Sequence, residues 1–343
     1  MIKNIYIRVD ANKTIGSGHL IRTHILAKEL RKKNINIEFI CETIPFDYEN
    51  KLLKEGYKIH KKKPAEKELN KIIDIISSPL DSLLITDSDK ETFYTKDFQT
   101  IIRSHGIKLM MITFFHQPYF YADIILNQNI MALSQTYKCE PYTKKLLGLQ
   151  YVILNEEYRL LANNINLNKN NALKKTVLIT FGSADVPDRT SFVLRALQPL
   201  QSGLHKIIVI LGALYSQKNK VEELAKAFNI PVEIYQNTPK MPHLLAEANV
   251  SITSGGLTVW EAGALHTLNV VMGYSYREKE GGKYYGDNNI AIYLGTKEDY
   301  TVEKLSEKLN TILKSDYSEI IKNLAKKINP FGVEKVVNEL MKL

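Results

Sequence analysis

Two successive series of strand-length apolar runs, with helical patterns between the runs, constrain the fold of this 343-residue chain most strongly. The runs of the first series are Ile5–Val9, Ile35–Cys41, Ser82–Thr86, Leu109–Thr113 and Ile124–Leu126. The runs of the second series are Thr176–Phe181, Lys206–Leu211, Val232–Tyr235, Val250–Thr253 and Val270–Met272. Alternating strands and helices are typical of a parallel sheet covered by helices. The sequence therefore predicts an α/β protein with two Rossmann-like domains.

An Asn-rich, weakly hydrophobic segment from Asn163 to Asn171 separates the two series and has the composition of a linker. We predict an N-terminal domain over 1–162, a linker over 163–175 and a C-terminal domain over 176–343. Parallel sheets bind ligands beyond the carboxyl ends of their strands. Two such sheets facing a central cleft would hold a substrate there.

Composition narrows the classes of partner. The net charge is +9, and the Lys-dense stretch from Lys51 to Lys71 contains one aromatic residue, Tyr57, and no Arg. A solvated, Lys-rich helix face explains this stretch better than a nucleic-acid site, and an anionic small substrate fits the charge equally well. We expect a small-molecule substrate, no nucleic-acid partner and a monomer.

The two cysteines, Cys41 and Cys139, lack the spacing of a zinc site or a disulfide framework. This usage indicates the reducing cytoplasm. The N-terminus lacks the apolar core of a signal peptide, and no run of about 18 apolar residues occurs. We expect a cytoplasmic protein without an integral membrane segment, although association with a membrane surface stays open.

The first motif, Ile15–His19, follows the first predicted strand and leads into a helix that should begin near Leu20. Gly16 and Gly18 allow a ligand to approach the backbone closely, and a helix start offers free N–H groups. His19 could take a proton from water, and Asp10 could orient its ring. A histidine that caps the helix or fills the turn is the alternative, and we interpret the nearby His24 as structural.

The second motif, Ser254–Glu261, follows the predicted strand Val250–Thr253 and opens a helix. Its amides from Gly255 to Thr258 could cradle a phosphate, and Glu261 could accept hydrogen bonds from both hydroxyls of a ribose. This spacing suits a nucleoside diphosphate. The alternative is a capped helix with an incidental glutamate.

A third loop, Phe181–Asp185, could close over the diphosphate. Gly182 would supply a backbone donor and Ser183 a hydroxyl, whereas Asp185 more simply caps the next helix. The string Asp87–Asp89 matches the Asp-x-Asp pair that holds a divalent metal in one class of sugar transferases. We favour a loop with a helix cap here, and we expect neither a metal nor a cofactor.

Taken together, these strings resemble the family of the UDP-2,4-diacetamido-2,4,6-trideoxy-β-L-altropyranose hydrolase of pseudaminic acid biosynthesis. The resemblance spans most of the chain with matching order and spacing. The strings that carry it are Arg8-x-Asp10, Ile15–His19 with Arg22, Leu126–Asn129, Gly148-x-x-Tyr151 leading to Glu157, Phe181-Gly182 and Ser254–Glu261.

The resemblance implies a GT-B-like fold and a metal-independent UDP-sugar hydrolase. His19 would be the catalytic base, with Asp10 beside it. Substrate contacts would come from Arg8, Gly16, Ser17, Gly18, Arg22, Asn127, Gln128, Asn129 and Tyr151. Nucleotide contacts would come from Gly182, Ser183, Ser254, Gly255, Gly256, Leu257, Thr258 and Glu261.

The reaction implied is C–O cleavage with inversion, which releases UDP and a free amino sugar for nonulosonic acid synthesis and flagellin glycosylation. Three segments depart from the family pattern on the sugar side: Thr113–His116, Ser88-Asp89 and Tyr276–Lys279. Two alternatives therefore stay open. One is a GT-B glycosyltransferase of surface polysaccharide or glycan assembly, and the other is a nucleotide-sugar binder without turnover.

Overall fold

The computed structural model describes residues 2–12, 14–165 and 173–343. The chain divides into two compact units. Unit 1 contains Met1–Leu154 and Phe331–Leu343, and unit 2 contains Asn155–Pro330.

Unit 1 is built on a seven-stranded parallel sheet. Its strands are β1 (Asn4–Val9), β2 (Asn36–Cys41), β3 (Lys58–Lys61), β4 (Ser82–Asp87), β5 (Lys108–Ile112), β6 (Ile124–Asn127) and β7 (Lys144–Leu147). They lie in the order β3-β2-β1-β4-β5-β6-β7. The helices before the second unit are α1 (Gly18–Arg31), α2 (Phe46–Lys54), α3 (Glu68–Ile75) and α4 (Lys96–Ser104).

Side chains of β1 alternate between the two faces of this sheet, as the period of a strand requires. Ile5, Ile7 and Val9 enter one apolar cluster, whereas Tyr6 enters a second cluster with Phe93. Both clusters are buried, so β1 is apolar almost throughout, which is typical of a parallel strand covered on both faces.

Unit 2 repeats this plan with six parallel strands in the order β10-β9-β8-β11-β12-β13. The strands are β8 (Lys175–Thr180), β9 (Leu204–Leu211), β10 (Val232–Gln236), β11 (Val250–Thr253), β12 (Leu268–Gly273) and β13 (Ile292–Thr296). The helices are α5 (Glu156–Asn163), α6 (Arg189–Leu197), α7 (Lys218–Ala225), α8 (Met241–Glu247), α9 (Thr258–Ala264), α10 (Tyr276–Asp287), α11 (Val302–Lys314) and α12 (Ser318–Lys327).

The last helix, α13 (Gly332–Leu340), returns to unit 1. Its buried residues Val333, Val336 and Leu340 join the same apolar cluster as Ile5. The predicted boundaries differ from this division, because they placed α13 in the second domain and α5 in the first. α5 instead packs on α8 and α9, and residues 166–172 of the predicted linker lie outside the described part of the chain.

All ten predicted strands are present, with ends shifted by up to two residues. The sequence interpretation missed β3, β7 and β13, which lie at sheet edges. Edge strands bury fewer side chains, and β3 and β7 carry lysines where a central strand carries apolar residues. The Lys-dense stretch was interpreted wrongly as one solvated helix face, because it contains the end of α2, all of β3 and the start of α3.

We predict that Gly332→Ala destabilises unit 1, because a Cβ at this position would lie 2.5 Å from the carbonyl oxygen of Val152 and 2.6 Å from its nitrogen. Backbone atoms cannot swing aside, so we expect a loss of about 1–3 kcal/mol. Thermal unfolding measures the effect. Gly203→Ala is the control, since a Cβ there has no neighbour within 4 Å, and equal stability of both variants would contradict this description of α13.

Candidate active site

Strand order brings the His19 loop and the end of β4 together. β1 pairs with β4 in parallel register, with Val9 opposite Asp87. The loop after β1 therefore leaves the sheet beside the last residue of β4. α1 then begins at Gly18, two residues before the predicted start, so His19 lies in its first turn.

His19 is held by Asp87. Its Nδ1 lies 3.1 Å from Oδ1 of Asp87 and 3.3 Å from the Asp87 carbonyl oxygen. The Asp87 side chain is fully buried, whereas the His19 side chain is 18% exposed. The imidazole is thus anchored through one nitrogen to a buried carboxylate and keeps an exposed edge.

Arg22 shares the same carboxylate. Its Nε and a terminal nitrogen donate to the two oxygens of Asp87, each at 2.5 Å. A bidentate guanidinium fixes the plane of a carboxylate, so Arg22 orients the group that orients His19. The side chain of Arg22 is 14% exposed, and its predicted contact with the substrate stays a prediction.

These contacts set the charge states of the cluster. Burial would raise the pKa of Asp87, but the charges of Arg22 and His19 lower it to about 2. The charge of Asp87 raises the pKa of His19 above 6.5, against burial and the charge of Arg22. Asp87 therefore stays ionised and strengthens His19 as a base.

The prediction that Asp10 orients His19 is wrong. Asp10 is buried and pairs with Arg8 at 2.8 Å, and its Oδ1 accepts the backbone N–H groups of Glu42 and Thr43. Burial opposes ionisation, yet the hydrogen bond and charge of Arg8 hold the pKa of Asp10 well below its usual range. Asp10 therefore fixes the loop after β2.

Arg8 is also internal, contrary to its predicted role at the substrate. Its side chain is fully buried and donates to both oxygens of Glu68, at 2.9 and 2.7 Å. Lys90 lies 3.1 Å from Asp10 and 3.3 Å from Glu68. Arg8 points to the face of the sheet opposite to Ile7 and Val9, so it ties β1 to α3 and to the segment that follows β4.

Lys62 corrects the interpretation of the Lys-dense stretch. It is 4% exposed and pairs with Glu42 at 2.7 Å. Lys62 is therefore a structural cation in the network of Arg8, Asp10 and Glu68. The remaining lysines of the stretch supply the surface charge. His24 is structural as expected, because its ring nitrogens contact Tyr48 and Glu55.

The Leu126–Asn129 string lies at the end of β6, and two of its polar side chains are buried. Asn127 and Gln128 are each 1% exposed. Asn127 donates to Tyr137 at 2.8 Å, and Gln128 accepts the N–H of Ile153 at 2.9 Å. Both side chains brace the end of β6, and Nε2 of Gln128 has no hydrogen-bond partner there. Their contacts with a substrate stay predictions.

The other predicted substrate residues keep accessible surface. Asn129 and Tyr151 are half-buried, as are Gly16, Ser17 and Gly18 before His19. Gly16 has a φ of +80°, which favours glycine at this turn. These residues are compatible with a ligand beside His19, and their roles stay predictions.

In unit 2, the loops after β8 and β11 lie at the same edge because these strands are neighbours. The carbonyl oxygens of Gly182 and Ser183 lie 2.3 Å from where a Cβ on Gly212 would be. Asp185 accepts the N–H groups of Arg189 and Thr190. The predicted capping role of Asp185 is therefore confirmed, and the Gly182-Ser183 turn rests on the loop after β9.

The Ser254–Glu261 segment forms a Gly-rich turn followed by α9, as predicted. Gly255 has a φ of +89°, and a Cβ there would lie 2.8 Å from Val271. The first hydrogen bonds of the helix are donated by Val259 and Trp260. The N–H groups of the preceding residues, Gly256, Leu257 and Thr258, are therefore those that a helix start offers to an external acceptor.

Glu261 faces the start of its own helix and is half-buried. Burial raises the pKa of Glu261 to about 7, and the nearby hydroxyl groups of Tyr158, on α5, and Thr258 limit the rise. Tyr158 was not among the predicted residues, since an isolated aromatic in an amphipathic helix is more often a core residue.

Among the described residues, no group of three or more His, Cys, Asp or Glu side chains is arranged to hold a metal ion. The Asp87–Asp89 string therefore gains no support as a metal site, and Asp87 is committed to His19 and Arg22. In the same part of the chain, no helix is long and apolar enough to cross a membrane.

Comparisons with known proteins show which fold this chain shares. Residues 176–339 match the glycosyltransferase family 28 C-terminal domain. The structure superposes on MurG from Acinetobacter baumannii with a TM-score of 0.68, 15% identity and coverage of 99% of this chain and 100% of that one. The fold is GT-B-like.

A UDP-N-acetylglucosamine 2-epimerase is also similar in fold, with a TM-score of 0.60, 13% identity and coverage of 99% and 95% of the two chains. In sequence, an uncharacterised protein of Methanocaldococcus jannaschii, MJ1062, is 28% identical over 267 residues. The match covers 75% of this chain and 53% of that protein. The chain therefore spans about half the length of this curated relative.

We predict that Asp87→Asn lowers the pKa of His19, because it removes the negative charge that stabilises the imidazolium and leaves the positive charge of Arg22 nearby. Proton NMR of the His19 ring across a pH series measures this. Asp10→Asn is the matched control, and it should leave the titration of His19 unchanged. A shift in Asp10→Asn alone would restore Asp10 as the partner.

Asp87→Asn leaves a buried guanidinium without its carboxylate, which typically costs about 3–5 kcal/mol of stability. Arg22→Gln combined with Asp87→Asn removes this unpaired charge. We expect the double variant to fold more stably than Asp87→Asn and to keep a lowered pKa at His19.

Proposed function

We propose that the protein is a GT-B glycosyltransferase that uses a UDP-sugar and takes a proton from the acceptor hydroxyl with His19. The His19–Asp87 pair carries the proposal. A buried carboxylate on Nδ1 of a histidine fixes its tautomer and stabilises its cationic form, so Nε2 is left to accept the proton.

The direction of the pKa shift sets the pH range for this base. Because Asp87 raises the pKa of His19 above 6.5, a larger fraction of His19 is protonated, and thus inactive as a base, just below neutrality. The acid limb of the activity profile should therefore lie at higher pH than that of an unperturbed histidine. The same shift gives the imidazole a higher affinity for the proton it must remove.

The Gly-rich turn of unit 2 supports the nucleotide half of the proposal. Amide donors from Gly256 to Thr258 suit a diphosphate, on which negative charge develops as the sugar departs. Gly182 and Ser183, at the neighbouring strand end, would add donors to the same group. Glu261 would accept hydrogen bonds from the ribose hydroxyls.

The similarity to known proteins supports this choice. The family matched by residues 176–339 is a glycosyltransferase family, and the epimerase with a similar fold is named for a UDP-linked amino sugar. A transferase therefore agrees with both the C-terminal half and the His19 site.

A second candidate is a UDP-sugar hydrolase in which water replaces the acceptor. The strings around His19, Leu126–Asn129 and Ser254–Glu261 favour it, since their order and spacing resemble the hydrolase family of pseudaminic acid biosynthesis. His19 would then activate water, with inversion at the anomeric carbon. Both candidates share the base and the leaving group and differ only in the nucleophile.

UDP release from candidate UDP-amino sugars, measured with and without added hydroxylated acceptors, tests the proposal. We expect release that depends on an acceptor, whereas equal release in water alone would favour the hydrolase. His19→Asn should lower either rate by about a hundredfold or more, the range for loss of a general base. His105→Asn is the control because His105 is exposed on unit 1, and near-normal turnover of His19→Asn would remove His19 from the mechanism.

A further inference from the structure

The loop after β12 carries an exposed aromatic side chain next to the turn proposed for the diphosphate. Tyr274 is the first residue after this strand and is 47% exposed. β12 pairs with β11 in parallel register, so Tyr274 leaves the sheet beside the Gly-rich turn. The two loops are in close contact, since the carbonyl oxygen of Glu278 lies 3.8 Å from where a Cβ on Gly255 would be.

A buried arginine supports the Tyr274 ring. Arg189 is 3% exposed, and its guanidinium carbon lies 5.8 Å from the centre of the Tyr274 ring and 4.6 Å from that of Phe181. Its Nη1 donates to the carbonyl of Met272 at 2.8 Å and to Glu278 at 3.0 Å. Arg189 therefore joins the loop after β8 to the loop after β12, and Tyr274 rests on it within the range of a cation–π contact.

The backbone of this loop is fixed as well. The N–H groups of Tyr274 and Ser275 donate to Oε2 of Glu278, at 2.7 and 3.2 Å, and the Ser275 hydroxyl accepts the N–H of Glu278 to cap α10. These polar groups are committed to the loop itself, so the aromatic ring is what Tyr274 presents to a ligand. A ring that is held before the ligand arrives costs little entropy on binding.

Tyr274 and the proposed ribose carboxylate lie on different sides of the Gly-rich turn. The Trp260 ring contacts Tyr285 of α10, with 5.3 Å between the ring centres. Successive residues of a helix are rotated by about 100°, so Glu261, the next residue, is turned away from α10. α9 also packs on α8, which contacts β8, whereas α10 packs on β12 and β13. Ribose and sugar occupy opposite ends of the diphosphate, so the sugar is the group expected beside Tyr274.

A tyrosine ring suits one part of a sugar. The two faces of a pyranose ring consist largely of C–H groups, and such a face can pack on the flat apolar surface of the ring. The tyrosine keeps its hydroxyl in water in this arrangement. Contact of this kind depends on the shape of the sugar face and needs no hydrogen bond to a sugar hydroxyl.

We propose that Tyr274 is a substrate-binding residue whose ring stacks on the apolar face of the sugar that UDP carries. The class of sugar that fits is a pyranose with one C–H face free of axial hydroxyl groups. A deoxy position on that face is tolerated, because the Tyr274 ring offers no hydrogen bond there. The inference rests on the proposed function, because it requires the diphosphate to bind at the Gly-rich turn.

Calorimetric titration of the full chain with UDP and with UDP-N-acetylglucosamine, the ligand for which the epimerase of similar fold is named, tests this role. The ratio of the two affinities isolates the sugar, since both ligands share the nucleotide. We expect Tyr274→Ala to bind UDP as the wild type does and UDP-N-acetylglucosamine about three- to tenfold more weakly, the range for loss of one aromatic contact. Tyr274→Phe keeps the ring and should keep the wild-type ratio.

Tyr142→Ala is the matched control. Tyr142 of unit 1 is also 47% exposed, and the guanidinium carbon of Arg103 lies 3.9 Å from the centre of its ring. It precedes β7 and therefore has the same exposure and the same kind of arginine contact at a different sheet. Both affinities should stay unchanged in this variant.

The outcomes separate the two levels of the argument. Unchanged affinity for both ligands in Tyr274→Ala would make Tyr274 a surface residue, and equal weakening of both would place it at the nucleotide. Either result would overturn the inference, as would a wild type that binds UDP but not UDP-N-acetylglucosamine, and each would leave the nucleotide site in place. Failure of the wild type to bind UDP would overturn the proposed function together with the inference.

Discussion

The ionised, fully buried carboxylate of Asp87 is the interaction on which the candidate site depends. It ends β4 beside β1, accepts both arms of the Arg22 guanidinium and holds His19 through Nδ1. A buried charge is stable only when it is paired, and here the pairing also organises the histidine. The same contact that anchors the end of β4 therefore raises the pKa of the base.

A second buried network supports the carboxyl ends of these central strands from the other face of the sheet. Arg8 of β1 bridges Asp10, which follows this strand, and Glu68 of α3, and Lys90 joins them from the segment after β4. Arg8 was expected at the substrate and Asp10 beside the catalytic base, because both precede His19 in the strings that carry the resemblance. Burial instead assigns them to the framework, which keeps the two loops beside His19 in a fixed relation.

Much of the fold could be predicted, because central parallel strands are continuous apolar runs and the Gly-rich turns mark where helices begin. Asp87 could also have been found, since the first and fourth strands are neighbours in a Rossmann sheet. Because the lysine-containing β3 was overlooked, however, the strand that ends at Asp87 was counted as the third. The burial of Arg8 against Glu68 depends on packing between distant segments, and local patterns carry no signal for it. The return of α13 to unit 1 could not be predicted either, because the amphipathic pattern of this helix fits either unit.

The central claim is that His19 activates a nucleophile for attack at the anomeric carbon, with the diphosphate as leaving group. Turnover in oxygen-18 water, followed by mass spectrometry of both products, tests it most directly. We predict UDP without label, and label in the sugar only where water acts as the acceptor, because attack at the anomeric carbon leaves the phosphorus–oxygen bonds of UDP intact. Label in UDP would mean attack at phosphorus and would contradict the mechanism.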